Sequence, residues 1–171
     1  MACMSYRISN LIYPRITVLI TTCNKLGRPN VASFSFIMPV SFEPKYIAFS
    51  VAPTRYTYEN LKEVGEFVVN VPTAEMLREV WICGTRSGRR VDKFSLAGLT
   101  PLDSVVVKPP RIAECPVQLE CVVEYMERFG DHYLVVGRVV KEHVKCSEFE
   151  PLLHHSRRVF YTKGKKLEAA E

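Results

Sequence analysis

The segment Asn30-Val-Ala-Ser-Phe-Ser-Phe-Ile-Met-Pro-Val-Ser41 decides how this chain is read, together with the apolar run Tyr46–Val51 and the Ala52-Pro-Thr-Arg-Tyr-Thr57 that follows. Small residues at Ala32, Ser33 and Ser35 on an extended segment let a flat ring approach the backbone. An Arg and a Thr at a helix start suit a phosphate, because free N–H groups and the helix dipole both favour an anion there. A planar ring with one phosphate satisfies both halves. The combination suggests a site for flavin mononucleotide (FMN).

Working outward, the chain is rich in strands. Ile16 to Cys23 is β-branched and threonine-rich, and reads as a strand. Asn24 to Pro29 is a turn, and Asn30 to Ile37 returns as a second strand. Pro39 and Pro44 bracket an expected loop before the strand Tyr46–Val51. Thr57 is the expected cap of a helix from Tyr58 to Val64, stopped by Gly65, and Glu66 to Val71 is a further strand.

Thr73 is expected to cap a second helix, with Met76, Leu77, Val80 and Trp81 on its core face and Gly84 ending it. Thr85 to Arg90 is a basic loop, and Val91 to Ala97 a short helix closed by Gly98. Val117, Leu119, Cys121, Val123 and Tyr125 alternate with Gln118, Glu120 and Glu124, the pattern of a half-buried strand. A six-residue connection around Gly130-Asp131 joins it to a strand from Tyr133 through Glu142. Regular βαβ alternation is missing, so the pattern predicts a mainly β protein with short helices, an antiparallel barrel closed fully or in part. One domain spans 1–171, with its core at about 13–161 and a mobile tail expected at 163–171.

The composition narrows the function classes. A chain of 171 residues, 47% hydrophobic and 24% charged, can bury a core without staples. Its apolar runs fall short of the roughly 18 residues that span a bilayer, and its start lacks the layout of a signal peptide, so a cytoplasmic location is expected with no membrane partner. The net charge of +5 attracts phosphorylated small molecules and nucleic acid alike. Cys3, Cys23, Cys83, Cys115, Cys121 and Cys146 include no Cys-x-x-Cys pair, and no metal site is expected. No Gly-x-Gly occurs, so a nicotinamide donor has no nucleotide domain of its own.

Several motifs, in order, resemble the flavin reductase-like, FMN-binding split-barrel family, flavoredoxins included. They are Pro14-Arg-Ile-Thr-Val-Leu-Ile-Thr-Thr22, Gly27-x-Pro-Asn-x-Ala-x-x-Ser35, Met38-Pro-Val-Ser41 and Arg55-x-Thr57 with Glu59-Asn60. Phe67-Val-Val-Asn-Val-Pro72, Ser87-Gly-x-x-x-Asp-Lys-Phe94 and Gly130-Asp-His-x-x-x-x-Gly137-Arg-Val139 continue the series. The resemblance covers about Tyr13 to Tyr161.

The resemblance implies an antiparallel FMN-binding split β-barrel, normally a homodimer with flavin near the subunit boundary. The ring is expected along Ala32, Ser33, Phe34 and Ser35, with Met38, Pro39, Val40 and Ser41 beside it. Arg55 and Thr57 are expected to carry the phosphate, with Lys93 as a second positive charge, and Asn30, Tyr56 and Ser87 complete the cofactor-binding set. His132 is assigned to the nicotinamide side, as the candidate catalytic residue. Each residue also has a plain structural role: a helix cap for Thr57, packing for Phe34, a solvated turn residue for His132, and a solvated edge for His154 and His155.

Three functions are compatible with these residues. The leading one is an oxidoreductase in which FMN accepts a hydride from NADH or NADPH and passes electrons to free flavin, a ferric chelate, a protein or another acceptor. The second is a flavoredoxin-type electron carrier without direct use of nicotinamide. The third is a small basic β-barrel that stacks nucleic-acid bases, disfavoured because the aromatics fall within apolar runs. No nucleic-acid partner is expected.

Overall fold

Two thirteen-residue strands, β9 (Val117–Phe129) and β10 (His132–Val144), form the backbone of the computed structural model, which describes residues 7–169. Ahead of them come β1 (Arg15–Ile16), β2 (Val18–Cys23), β3 (Pro29–Phe34), β4 (Ile37–Phe42), β5 (Lys45–Val51), α1 (Tyr56–Val64) and β6 (Glu66–Val71). Then follow α2 (Leu77–Thr85), α3 (Lys93–Ala97), β7 (Pro101–Leu102) and β8 (Arg111–Ile112). After the long hairpin come β11 (Leu153–Ser156) and β12 (Val159–Tyr161).

Seven strands form one antiparallel sheet in the order β3-β2-β6-β9-β10-β5-β4. It curls into a split barrel around Phe49 and Phe67, whose ring centroids lie 5.1 Å apart, with Val18, Ile20, Val51, Val69, Cys121 and Val135 around them. Gly137 makes room for this core: a Cβ there would lie 2.4 Å from Cζ of Phe67. The sheet register shifts at the same point, between Val136 and Gly137. A second core on the outer face joins Leu19 and Val31 to Met76, Val80 and Cys83 of the α2 region, Phe94 of α3, and Ile112. Every residue of β2 is buried, since one face looks into the barrel and the other into the outer core.

Several sequence expectations change. Asn30–Ile37 is not one strand; β3 ends at Phe34 and β4 begins at Ile37. The loop expected between Pro39 and Pro44 is largely β4, paired with β5 through a turn at Glu43-Pro44. Pro39 is tolerated there because β4 is an edge strand, where a missing N–H donor costs little. The first helix starts two residues early, with Arg55 rather than Thr57 at the cap position. Gly84 lies inside α2, and the buried face of that region is Met76, Val80 and Cys83 at i, i+4 and i+7. Leu77 is exposed and Trp81 half-buried, so both fall off the expected core stripe.

Helix α3 begins at Lys93, two residues later than expected, because the Asp92 carboxylate accepts N–H bonds from Phe94 and Ser95 at 2.9 and 3.3 Å. The long hairpin turns on two residues, Gly130 and Asp131, with Gly130 at φ 60°. Gln118 and Glu120 are fully buried rather than solvent-facing. The segment 99–115 crosses that face, and Glu120 accepts the backbone N–H groups of Val105, Val106 and Val107 at 2.9, 2.7 and 3.1 Å. Asn70 does the same for Ile112 N–H at 2.9 Å, so buried side chains satisfy the backbone of a covering loop. The β11–β12 hairpin, absent from the sequence reading, packs beside β1 with Arg15 opposite His154. Cys3 lies outside the described residues.

Candidate functional site

A cavity lies where the end of β3, the start of α1 and the α2–α3 connection converge. It holds about 510 Å³, within the roughly 300–1,000 Å³ of small-molecule sites. Ala32, Ser33, Phe34 and Ser35 line one side, and Arg55, Tyr56 and Thr57 form the end at the α1 start. Ser87 and Lys93 come from the α2–α3 connection, and His132 from the start of β10. Asn30 sits between the helix start and the 87–88 backbone.

The start of α1 is open. No side chain caps it, and neither Arg55 nor Arg86 has an ion-pair partner among the described residues. Thr57 is 1% exposed, and its hydroxyl oxygen accepts an N–H of Asn30 at 3.3 Å. Asn30 also donates to Thr22 at 3.4 Å, while its own carbonyl oxygen, Oδ1, is buried with no partner. A buried acceptor without a donor costs about 1–3 kcal/mol, and a ligand hydroxyl beside the α1 start would remove that cost.

Lys93 is the most deeply placed cation. It is 5% exposed, and its Nζ donates to the carbonyl oxygen of Cys83 at 3.1 Å. Burial lowers its pKa to about 8; the nearby Cys83 opposes that shift and Arg55 adds to it. Burial also pushes the Cys83 thiol up to about 11, so this cysteine, packed in the outer core, stays a neutral thiol. Arg89 has a different task. Its guanidinium is forked onto Glu59 and donates to the Thr54 carbonyl at 2.9 Å, tying the loop to α1.

The far end holds groups that the sequence reading did not assign. Arg15 donates to the carbonyl oxygens of Ile12 and His155 and to Nδ1 of His154, which fixes the His154 tautomer with its proton on Nε2, toward the Arg157 carbonyl. Burial lowers the His154 pKa, so the ring is neutral and not the solvated edge expected. His132 is half-buried, 6.1 Å from the Phe36 ring, and its Nδ1 lies 2.9 Å from the Asp131 carboxylate.

Met38, Pro39, Val40 and Ser41, expected beside the ring, do not line this cavity. They run along the edge strand β4, where Met38 and Val40 are 58% and 51% exposed. Arg7, Arg15, Arg55, Arg86, Arg89 and Lys93 all line the cavity, and among the described residues no Asp or Glu does. Such a surface attracts an anion and leaves no carboxylate to hold a metal ion there.

Comparison with known proteins identifies the family and the fold. A family model described as "Flavin reductase like domain" matches residues 10–163. An uncharacterized protein of Archaeoglobus fulgidus is 41% identical over 129 residues, which is 75% of this chain and 72% of that protein. The solved flavoredoxin of Desulfovibrio vulgaris (Miyazaki F) is 25% identical, covering 99% of this chain and 97% of its own, with a TM-score of 0.86. An FMN-binding protein from Thermus thermophilus, solved with bound p-hydroxybenzaldehyde, shares the fold at a TM-score of 0.87 and 20% identity, covering 99% and 96%.

Proposed function

The chain belongs to the flavin reductase-like domain family, and from that premise we propose that it is an FMN-containing oxidoreductase that accepts a hydride from NADH or NADPH. Electrons then pass to free flavin, a ferric chelate or another small-molecule or protein acceptor. The observation that carries this reading is the cavity itself, which has an uncapped helix start, six cations and no carboxylate, beside a strand of small residues.

The residues fit FMN. Arg55, the first amides of α1 and the buried ammonium of Lys93 would hold the phosphate, and Thr57 and Asn30 support that end. Asn30 Oδ1 would accept a hydrogen bond from a hydroxyl of the ligand's chain. The backbone of Ala32 to Ser35 would lie along the ring. When bound, FMN supplies the ring that takes up a hydride and releases electrons singly or in pairs. The chain's own contribution is binding, orientation and positive charge. His132, steered by Asp131 and backed by Phe36, orients the nicotinamide from the other end of the cavity.

We also propose a homodimer. The edge strand β4 supports it, with Met38, Val40 and Phe42 exposed and Phe42 at 93%. An unpaired, apolar edge invites another strand or surface. Light scattering on the FMN-loaded protein tests this, and a monomer retaining FMN rejects it. No helix among the described residues is long and apolar enough to cross a membrane. The cytoplasmic location remains part of the proposal, supported by buried free thiols at Cys23, Cys83, Cys115 and Cys121.

The deciding experiment is the spectrum of the purified protein, followed by anaerobic mixing with NADH and with NADPH. Absorbance bands near about 370 and 450 nm, bleached by one nicotinamide, are expected. A protein that neither carries nor binds FMN rejects the flavin assignment. Bound FMN that dithionite reduces but neither nicotinamide does would shift the reading to an electron carrier, which the likeness to flavoredoxin favours.

A further inference from the structure

Beside the main cavity lies a smaller cleft of about 250 Å³, between α2 and the β11–β12 hairpin. Its walls are aromatic. Trp81 stands on one side, and Phe160 and His154, with ring centroids 4.8 Å apart, stand on the other. Ser33, Ser35, Gly84, Thr85 and His154 border both spaces, so anything bound here touches residues that also line the main cavity.

The polar groups of this cleft are already engaged. Ser33 donates to the Val80 carbonyl at 2.5 Å, Thr85 donates to the Trp81 carbonyl at 2.7 Å, and the Thr17 and Ser35 hydroxyls pair at 3.3 Å. His154 uses one ring nitrogen on Arg15 and the other on the Arg157 carbonyl, so it presents a neutral ring face. The interior therefore asks for an apolar, flat occupant. The mouth asks for charge: Arg157 lines it, and the Arg158 guanidinium lies 5.4 Å from the Trp81 ring centroid. Neither arginine has an ion pair among the described residues, and no carboxylate lines the cleft. The volume is below that of a typical nucleotide site and suits a single ring.

We propose that this cleft binds a small aromatic acid, its ring between Trp81 and Phe160 and its carboxylate toward Arg157 and Arg158. The proposal rests on the flavin reading only for its position beside the cofactor; binding itself does not depend on it. A ligand held here borders the flavin cavity along Ser33 and Ser35, as an electron acceptor or an effector of the ring would.

Trp81 is the chain's single tryptophan, so its fluorescence reports on this cleft alone. The test titrates FMN-loaded protein with benzoate, with benzamide (same ring, no charge) and with cyclohexanecarboxylate (same charge, no aromatic face), by tryptophan fluorescence and calorimetry. Benzoate is expected to saturate, with both controls at least about tenfold weaker. Arg157→Gln should weaken benzoate about tenfold and leave benzamide unchanged. Trp81→Leu should abolish benzoate binding in calorimetry with FMN affinity intact, and Phe160→Leu gives an independent check should the first variant fold poorly. No saturation by about 10 mM benzoate, or equal binding of benzamide, overturns the proposal. Loss of FMN affinity in Trp81→Leu or Phe160→Leu overturns it too, by giving the cleft to the cofactor. Should the protein bind no FMN, the same titration on flavin-free protein still decides the cleft.

Discussion

Gly88 lies so close to Asn30 that a Cβ at position 88 would sit 2.1 Å from Asn30 Oδ1. This contact joins the α2–α3 connection to β3 and holds Ser87 and Lys93 against the α1 start. Asn30 cannot simply swing away, because it is 3% exposed and its amide is tied to Thr22 and Thr57. Gly88→Ala is expected to cost about 1–3 kcal/mol in stability through overpacking and to weaken FMN binding as the loop moves outward. Denaturant titration and FMN titration of one preparation check both effects.

Arg55 is the exposed cation of the helix start, with no ion-pair partner of its own among the described residues. Arg55→Gln should weaken FMN by about 1.5–3 kcal/mol, the range of a charge-assisted hydrogen bond. Riboflavin, which lacks the phosphate, should bind both proteins equally. An equal loss for both ligands would place Arg55 on the ring instead.

Lys93 couples binding to pH. A bound phosphate favours the ammonium, so above the second pKa of the phosphate, about 6, FMN affinity should hold steady and then fall as pH rises through about 8. Lys93→Met should remove that dependence. In the ligand-free protein the sign reverses: an unfolded lysine keeps its proton up to about 10.5, while the folded one releases it near 8. The buried charge therefore destabilises the fold below pH 8, and the penalty fades as pH rises. Lys93→Met should stabilise the flavin-free protein at pH 7 by about 3 kcal/mol, read as a higher Tm.

Glu120 anchors the segment over the outer core. Burial alone would raise its pKa, but the Val105, Val106 and Val107 amides, with His143, outweigh burial and hold it below the ordinary carboxylate value. Its contribution to stability is thus present above the ordinary range and disappears as pH falls through the folded value. Glu120→Ala strands three backbone donors and should cost about 3–5 kcal/mol. Hydrogen exchange should accelerate first at Val105–Val107, and unchanged protection there would reject the anchoring role.

His132→Ala is expected to slow reduction by NADH or NADPH about 100-fold, with FMN affinity and dithionite reduction unchanged. Stopped-flow measurement of the bound chromophore reads this directly. Equal rates in both proteins would leave His132 as a turn residue with no part in the reduction.

Local patterns carried what could be read before folding. Glu66–Val71 is a strand with the bounds its β-branched run predicts, and Gly65 and Gly98 end their helices in the left-handed region at φ 67° and 72°. That Arg55 and Thr57 stand together at one end of the cavity was legible because they are neighbours at a helix start, and one turn of backbone carries their relation. Tertiary structure alone decided the rest. Arg15 and His154 stand 139 positions apart and meet only through the β1–β11 pairing, so no spacing encodes that end of the site. Pro39 reads as a loop residue until the sheet order makes β4 an edge. Gln118 and Glu120 read as solvent-facing because alternation reports one buried face of a strand, and only the packed chain reveals that segment 99–115 covers the other.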